Sequence, residues 1–81
     1  MRIDDKTLYI EEPLYDDNIE EAIATFSQDN IQNIEVLTND LGAGIVQELL
    51  VQKRQKDVIV HDDVLKKIFE NVIYKSIEWP P

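Results

Sequence analysis

The chain contains no cysteine among its 81 residues. Without a thiol, disulfide bonds, thiolate metal sites and cysteine nucleophiles are excluded together. Charges interrupt every apolar run long before the roughly 20 residues that a membrane span requires, and no apolar segment of signal-peptide length follows Met1. We therefore expect a soluble protein of the reducing cytoplasm that makes no membrane contact.

Glycine is almost as scarce, which limits the phosphate-binding motifs that the chain can form. Both glycines lie in the segment Thr38–Gly44, after an apolar run and before an amphipathic one. A G-x-G-x-x-G match that starts at Gly42 would need a third glycine where Gln47 stands, and the P-loop Gly-Lys-Ser/Thr spacing is missing. The sequence predicts no nucleotide site and no cofactor.

Cations are few, with 8 Lys and Arg against 17 Asp and Glu, for a net charge of −9. Twelve of the acids lie in residues 1–48, where Arg2 and Lys6 are the only bases. Such a field repels nucleic-acid phosphates and anionic lipid, and it attracts a basic protein partner. Direct nucleic-acid binding is not expected, and simple solubility remains the alternative meaning of the charge.

The composition and the length predict a single globular domain over residues 1–81. With 43% hydrophobic residues the chain can form one modest core. The final segment, residues 75–81, is predicted as a tail whose prolines stop a helix. Trp79 in that tail either packs back on the domain or docks on a neighbouring chain.

Three segments show strand patterns. Thr7–Glu12 alternates apolar and polar residues, and the short segment MRI before it could add an edge strand as a hairpin. Ile31–Thr38 alternates in the same way. Asp57–His61 carries three consecutive β-branched residues, which predicts a central strand buried on both faces.

Three other segments show helical spacing. The first helix follows Pro13, with Asp17 and Glu20 as a capping box. The second runs from about Gly44 to near Gln55. The third is capped by Asp62 or Asp63 and has an apolar stripe composed of Val64, Leu65, Ile68, Phe69, Val72 and Ile73. The alternating order predicts an α/β fold of βαβαβα type, with a mostly parallel sheet and right-handed crossovers.

No catalytic constellation and no metal site is predicted. His61, Asp62 and Asp63 are adjacent, so they converge poorly on one ion, and they are interpreted as a turn residue and helix caps. The acidic pairs that begin at Glu11, Asp16 and Glu20 point apart and indicate a solvated face. An enzyme is therefore not expected. The alternative that stays open is an active site assembled between the chains of a homo-oligomer.

The order of elements resembles the STAS domain, the fold of anti-sigma factor antagonists and of sulfate-transporter tails. The likeness covers Met1 to Tyr74. The matching segments are MRIDDKTLYI, DDNIEEAIATF, IEVLT, NDLGAG, IVQELLVQKRQ, DVIV and DDVLKKIFENV. The resemblance implies a regulatory module whose loop before the second helix binds a partner protein.

In that family a loop serine is phosphorylated by a partner kinase, and the added charge releases the bound regulator. This chain resembles a short form without that serine, because Leu41, Gly42 or Ala43 stands at the serine positions in either alignment of the loop. Thr38, one residue before the loop, is the nearest hydroxyl that could take a phosphate.

The sequence thus predicts a non-catalytic interaction module with a protein partner, which we expect to be basic. The candidate partner-binding residues are Thr38, Asn39, Asp40, Leu41, Gly42, Ala43 and Gly44. The alternative is an acidic antagonist, such as an antitoxin or a nucleic-acid mimic, that occupies a basic groove with the carboxylates from Asp4 to Glu21. A homodimer is left open.

Overall fold

The computed structural model describes the backbone of residues 1–78 and the side chains of residues 1–70. Within them an N-terminal hairpin is followed by alternating helices and strands. The strands are β1 (Arg2–Asp4), β2 (Thr7–Ile10), β3 (Asn33–Val36) and β4 (Asp57–Val60), and the helices are α1 (Ile19–Phe26), α2 (Ala43–Gln52) and α3 (Asp63–Glu78). A short 3-10 helix, Asp16–Asn18, leads into α1. None of the helices in this part of the chain is long and apolar enough to cross a membrane.

The four strands form one mixed sheet in the order β1-β2-β3-β4. β1 and β2 pair antiparallel as the predicted hairpin, and the turn between them passes through Asp5 with φ 57°. Aspartate tolerates this left-handed region better than most residues. β2 pairs parallel with β3, and β3 pairs parallel with β4. The predicted class, a small α/β domain with a hairpin edge, is confirmed as a four-stranded mixed sheet with three helices.

The hydrophobic core lies on one face of this sheet. Alternate residues of β2, β3 and β4 are buried, and all three helices add side chains to the same cluster. Its members are Leu8, Ile10, Ala22, Phe26, Ile31, Ile34, Val36, Ile45, Leu49, Val58, Val60, Leu65 and Phe69. Successive right-handed crossovers that proceed in one direction across a sheet place their helices on the same side. The other face, with Tyr9, Glu35 and Ile59, therefore remains partly open to solvent.

β4 is an edge strand, which corrects the prediction that it is the central one. Only Val58 and Val60 face the core, and Ile59 between them is 47% exposed on the opposite face. The central positions belong to β2 and β3. Three β-branched residues in a row fit a strand buried on both faces, but they fit equally well a strand with one open face and apolar residues on it.

The start of α1 differs from the predicted capping box, whereas the start of α3 agrees with the prediction. Asp17 lies inside the 3-10 helix, and the N-cap position of α1 is Asn18, which makes no side-chain capping hydrogen bond. The 3-10 turn occupies the residues that a capping box would need. At α3 the carboxylate of Asp62 accepts a hydrogen bond from the Leu65 N–H at 2.9 Å.

α3 turns only part of its predicted apolar stripe toward the core. Leu65 and Phe69 are 7% and 1% exposed, whereas Val64 and Ile68 are 68% and 44% exposed. The helix packs on β4 at the edge of the sheet, where a narrow face is enough to cover the core. The helix bounds reach Glu78, inside the segment 75–81 that was predicted as a tail. Trp79 and the side chains of Val72 and Ile73 lie outside the described part.

α2 ends at Gln52, three residues before the predicted end. The bases that follow, Lys53, Arg54 and Lys56, therefore lie beyond its last turn. The ammonium of Lys56 instead donates hydrogen bonds to the carbonyl oxygens of Phe26 and Gln28, which follow each other closely at the end of α1. Burial lowers the pKa of Lys56, and the charge of Asp29 opposes that shift. Lys56 therefore holds the end of α1 against the start of β4.

Candidate functional site

The loop Thr38–Gly44 leaves the carboxyl end of β3 and leads into α2. It is joined to the segment that follows β2 by an isolated parallel bridge between Leu14 and Leu41. The Leu14 N–H donates to the Asp40 carbonyl at 3.1 Å, and the Gly42 N–H donates to the Leu14 carbonyl at 2.8 Å. The backbone of the loop is thus fixed by a short extension of the sheet.

The first turn of α2 is capped by the carboxylate of Asp16, a residue from the same preceding segment. The Gly44 N–H donates to Asp16 Oδ2 at 3.1 Å, and the Ile45 N–H donates to Asp16 Oδ1 at 3.2 Å. A helix start of this kind is where a phosphate would bind, through free N–H groups and the helix dipole. Here a carboxylate of the chain itself fills that position.

Both glycines are explained by this carboxylate. A Cβ on Gly42 would lie 2.9 Å from the backbone nitrogen of Asp16 and closer still to its carboxylate. A Cβ on Gly44 would lie 2.8 Å from Ile19 Cδ1 and 2.9 Å from Asp16 Oδ1. Gly42 has φ −66°, which any residue adopts. The glycines are therefore needed for close approach and not for an unusual backbone conformation.

A second side-chain contact holds the loop at Asp40. The Tyr15 hydroxyl donates to Asp40 Oδ2 at 2.6 Å, and Tyr15 is itself 47% exposed. That hydrogen bond raises the pKa of Tyr15, with smaller contributions from desolvation and from the Asp40 charge. The phenol and the carboxylate therefore form one polar unit on the surface of the loop.

The remaining predicted loop residues divide between turn formation and exposure. The Thr38 hydroxyl accepts a hydrogen bond from the Asp40 N–H at 3.1 Å, and Asn39 Nδ2 donates to Asp62 Oδ1 at 3.3 Å. The exposed members are Asn39, Asp40 and Ala43, and the half-buried members are Thr38, Leu41, Gly42 and Gly44. The loop thus presents a small polar surface, and its backbone is held by hydrogen bonds to Leu14 and Asp16.

Carboxylates from three strand ends surround the loop. Parallel strands end at the same edge of a sheet, so the acids that follow β2, β3 and β4 lie at one end of the molecule. We call this the acidic end, and its residues are Glu11, Glu12, Asp16, Asp17, Asp40, Asp62 and Asp63. A surface depression of about 410 Å³ opens there, lined by Glu11, Leu37, Thr38, Asn39, His61 and Asp62.

The side chains of Arg2 and His61 at this end are already paired with carboxylates. Arg2 Nε donates to Glu11 Oε1 at 2.7 Å, and its guanidinium lies 4.3 Å from the centroid of the Tyr9 ring. His61 Nε2 lies 2.9 Å from Glu35 Oε1. Lys53 and Arg54 lie at the opposite end, before β4. The two ends of the sheet therefore carry different charge.

The adjacent residues His61, Asp62 and Asp63 do not converge on a common point. His61 pairs with Glu35, and Asp62 caps α3 and accepts from Asn39. Within the described residues, no group of three or more His, Cys, Asp or Glu side chains is arranged to hold a metal ion. His61 and Asp62 thus have structural partners of their own.

Sequence reasoning missed the roles of Asp16 and Tyr15. Both contacts join residues far apart in the chain, with Asp16 lying 28 residues before Gly44. One local sign is present, because the N-cap position of α2 is Gly42, where a Ser, Thr, Asp or Asn would supply a capping side chain. A helix start without its own capping side chain indicates that a distant residue supplies one.

Comparison with protein-family models, with characterised proteins and with solved structures finds no match.

Proposed function

We propose that this protein is a non-catalytic protein-protein interaction module of the STAS-like regulatory type. It binds a basic partner protein through the loop Thr38–Gly44 and the acidic end around it. The observation that carries the proposal is the convergence of carboxylates from three strand ends around the loop, whose backbone is held by hydrogen bonds from the segment after β2. No cofactor takes part.

The rigidity of the loop favours binding to a partner. The Leu14–Leu41 bridge, the Asp16 carboxylate and the Tyr15 hydroxyl all hold it from the segment after β2. A surface that is already ordered loses little conformational entropy on association, so more of the contact energy appears as affinity. The loop is therefore suited to present Asn39, Asp40 and Ala43 in one conformation.

The chemistry of the acidic end favours a basic partner with an apolar element. Tyr15 and Leu37, 47% and 46% exposed, stand among the carboxylates. Aromatic side chains are enriched at protein interfaces, and surrounding charges of one sign increase the rate of encounter with a partner of the other. The expected recognition element carries Lys or Arg around an apolar residue that contacts Tyr15 or Leu37.

The order of elements supports the likeness to STAS domains. The loop has no serine, so we expect its regulation to differ from the serine phosphorylation of that family. The Thr38 hydroxyl is the acceptor of the Asp40 N–H. A phosphate on Thr38 would disturb this turn and add negative charge beside Asp40, so its expected effect is to open the loop. Regulation in this chain would then act on loop conformation.

The test is capture of a partner from native lysate at low and high salt with three forms of the full chain. We compare the wild type with Asp40→Lys and with the control Asp4→Lys, which makes the same charge change on exposed β1. Asp4 lies 4.0 Å from Arg2 and 73% of its side chain is exposed. Gly42 is left unchanged, because a larger residue there would collide with Asp16.

The proposal predicts a partner that is retained by Asp4→Lys and lost with Asp40→Lys, while circular dichroism shows that both variants are folded. Retention of the same partner by Asp40→Lys would show that the partner does not bind through the loop. Loss with both variants would indicate that net charge decides binding, and the loop would again have no specific role.

A second candidate is an acidic antagonist that occupies the basic groove of a nucleic-acid-binding protein. The acidic end favours it, although the carboxylates from Asp4 to Glu21 do not form one surface. Asp4 and Asp5 lie by the β1–β2 turn, at the opposite end of the sheet from Glu11 and Glu12. This candidate predicts a basic nucleic-acid-binding protein that is captured at low salt alone, whichever variant is used.

A further inference from the structure

Among the residues that the structure describes, no strand pairs with one of the two backbone edges of β4. Asp57 N–H donates to the Gln32 carbonyl and His61 N–H donates to the Val36 carbonyl, so these positions face β3. Backbone groups alternate in direction along a strand. The N–H and C=O groups of Val58 and Val60 consequently point to the free edge, where β4 ends the sheet.

The core is covered least well at this same edge. Of the thirteen core residues found among residues 1–70, ten are at most 1% exposed, and the other three are Val58, Val60 and Leu65, at 8%, 9% and 7%. Apolar side chains beside them are much more open, with Ile59 at 47%, Val64 at 68% and Ile68 at 44%. Free backbone groups and exposed apolar side chains thus occur together on β4 and α3.

The other edge strand, β1, also has an exposed apolar residue, Ile3 at 46%, but a charged residue lies on each side of it. β1 has three residues, two of which are Arg2 and Asp4. Arg2 is bonded to Glu11 and lies over the Tyr9 ring. Short length and charged side chains are the usual means by which proteins prevent strand addition at an edge. In β4, by contrast, Val58, Ile59 and Val60 form an uncharged run of three residues.

The charges that flank β4 are opposite in sign at its two ends. Lys53, Arg54 and Lys56 precede the strand, and Asp62 and Asp63 follow it. An antiparallel copy of the same strand would bring the basic flank of each chain to the acidic flank of the other. The sequence around β4 is therefore complementary to itself in the antiparallel direction.

We propose that β4 is a self-association edge, at which a second copy of this chain pairs antiparallel across a two-fold axis at Ile59. In this register Val58 of each copy lies opposite Val60 of the other, and each such pair exchanges both backbone hydrogen bonds. Ile59 of one copy then lies opposite Ile59 of the other. The two sheets join into one continuous sheet.

The same register makes specific side-chain pairs. The two Ile59 residues form a non-hydrogen-bonded pair, in which side chains approach most closely. On the same face Asp57 of each copy lies opposite His61 of the other. On the core side Lys56 lies opposite Asp62. Two-fold interfaces of this kind use one surface twice, so a self-complementary edge is what they require.

The first test is sedimentation of the full chain over a range of concentrations. We compare the wild type with Ile59→Lys and with the control Ile3→Lys, which makes the same change at a residue 46% exposed on β1. Like charges on the two-fold axis should weaken dimerisation by about tenfold or more. The proposal predicts a wild-type dimer, a monomeric Ile59→Lys and a dimeric Ile3→Lys.

A wild type that remains monomeric at every concentration would overturn the proposal, and so would an Ile59→Lys variant that dimerises as the wild type does. Circular dichroism reports whether each variant is folded. The Asp40 test of partner binding is separate from this one, since Asp40 lies outside this edge, although Asp62 belongs to both surfaces.

A second pair of variants tests the register itself and does not depend on Ile59. Asp57→Lys removes the acid that lies opposite His61 of the other copy and puts a cation in its place, and His61→Glu places two acids opposite each other. Mixing the two variants would set the new lysine opposite the new glutamate. We expect each variant alone to dimerise at least about tenfold more weakly, and the mixture to recover the loss as a heterodimer. No recovery in the mixture would exclude this register.

Discussion

The carboxylate of Asp16 determines the conformation of a loop that lies 28 residues further along the chain. It accepts hydrogen bonds from the N–H groups of Gly44 and Ile45, where the dipole of α2 favours a negative charge. Its position also explains why no Cβ fits at Gly42. One side chain thus caps α2 and sets which residues the loop can contain.

Replacement of Asp16 by alanine should lower the free energy of unfolding by about 1–2 kcal/mol, because two N–H groups of α2 lose their acceptor. The neighbouring change Asp17→Ala removes the same charge without a capping bond, and it should alter stability by less than about 0.5 kcal/mol. Urea unfolding of both variants gives the comparison. Equal losses would mean that the charge, and not the cap, stabilises the domain.

At the scale of elements, α3 shows how position in the sheet decides which side chains are buried. The stripe formed by its apolar residues is wider than the part of the helix that packs against β4 and the core. Because α3 packs on an edge strand, Leu65 and Phe69 enter the core and Val64 and Ile68 stay outside. A helix over the middle of a sheet would have covered more of the stripe.

Leu65→Ala should therefore cost about 2–5 kcal/mol of unfolding free energy, as expected for a large buried side chain. Val64→Ala, one residue earlier, should cost less than about 0.5 kcal/mol in the monomer, because Val64 is 68% exposed. Thermal or urea unfolding at a concentration where the chain is monomeric measures both. Similar costs for the two changes would contradict this orientation of α3.

At the scale of the whole molecule, the parallel strands gather negative charge at one end. Acids that are scattered along the sequence become neighbours because each follows a strand that ends at the same edge. The bases of residues 53–56 lie at the other end, before β4. The molecule is therefore electrically asymmetric as well as negative, with a net charge of −9.

Mutual repulsion among these carboxylates should make the domain more stable as salt increases. Between about 0.01 M and 0.15 M ionic strength the screening length falls from about 30 Å to about 8 Å. The free energy of unfolding at pH 7, measured with urea, should rise over this range. Glu12→Gln should reduce the response and Lys53→Gln should enlarge it. A decrease in stability with salt would show that attractive pairs dominate instead.

The sequence by itself determined the class of fold and the order of elements. Alternation within Thr7–Glu12 and helical spacing from Ile19 to Phe26 are local patterns, and each predicts its element without the rest of the chain. A cap of α3 by Asp62 or Asp63 is predicted for the same reason, since a cap acts within one turn, and the structure shows that Asp62 supplies it. Around the loop, the glycine pair at a helix start was visible, and with it the location of the candidate site.

Only the tertiary structure decided which residues contact the loop and which position β4 takes in the sheet. The Asp16 cap, the Tyr15 contact and the convergence of carboxylates join residues that are distant in sequence, and no local pattern specifies such contacts. The edge position of β4 likewise depends on which strands pair. Propensity and periodicity are properties of one segment. The burial of a residue, its side-chain contacts and the pairing of its strand depend on all the elements packed against that segment.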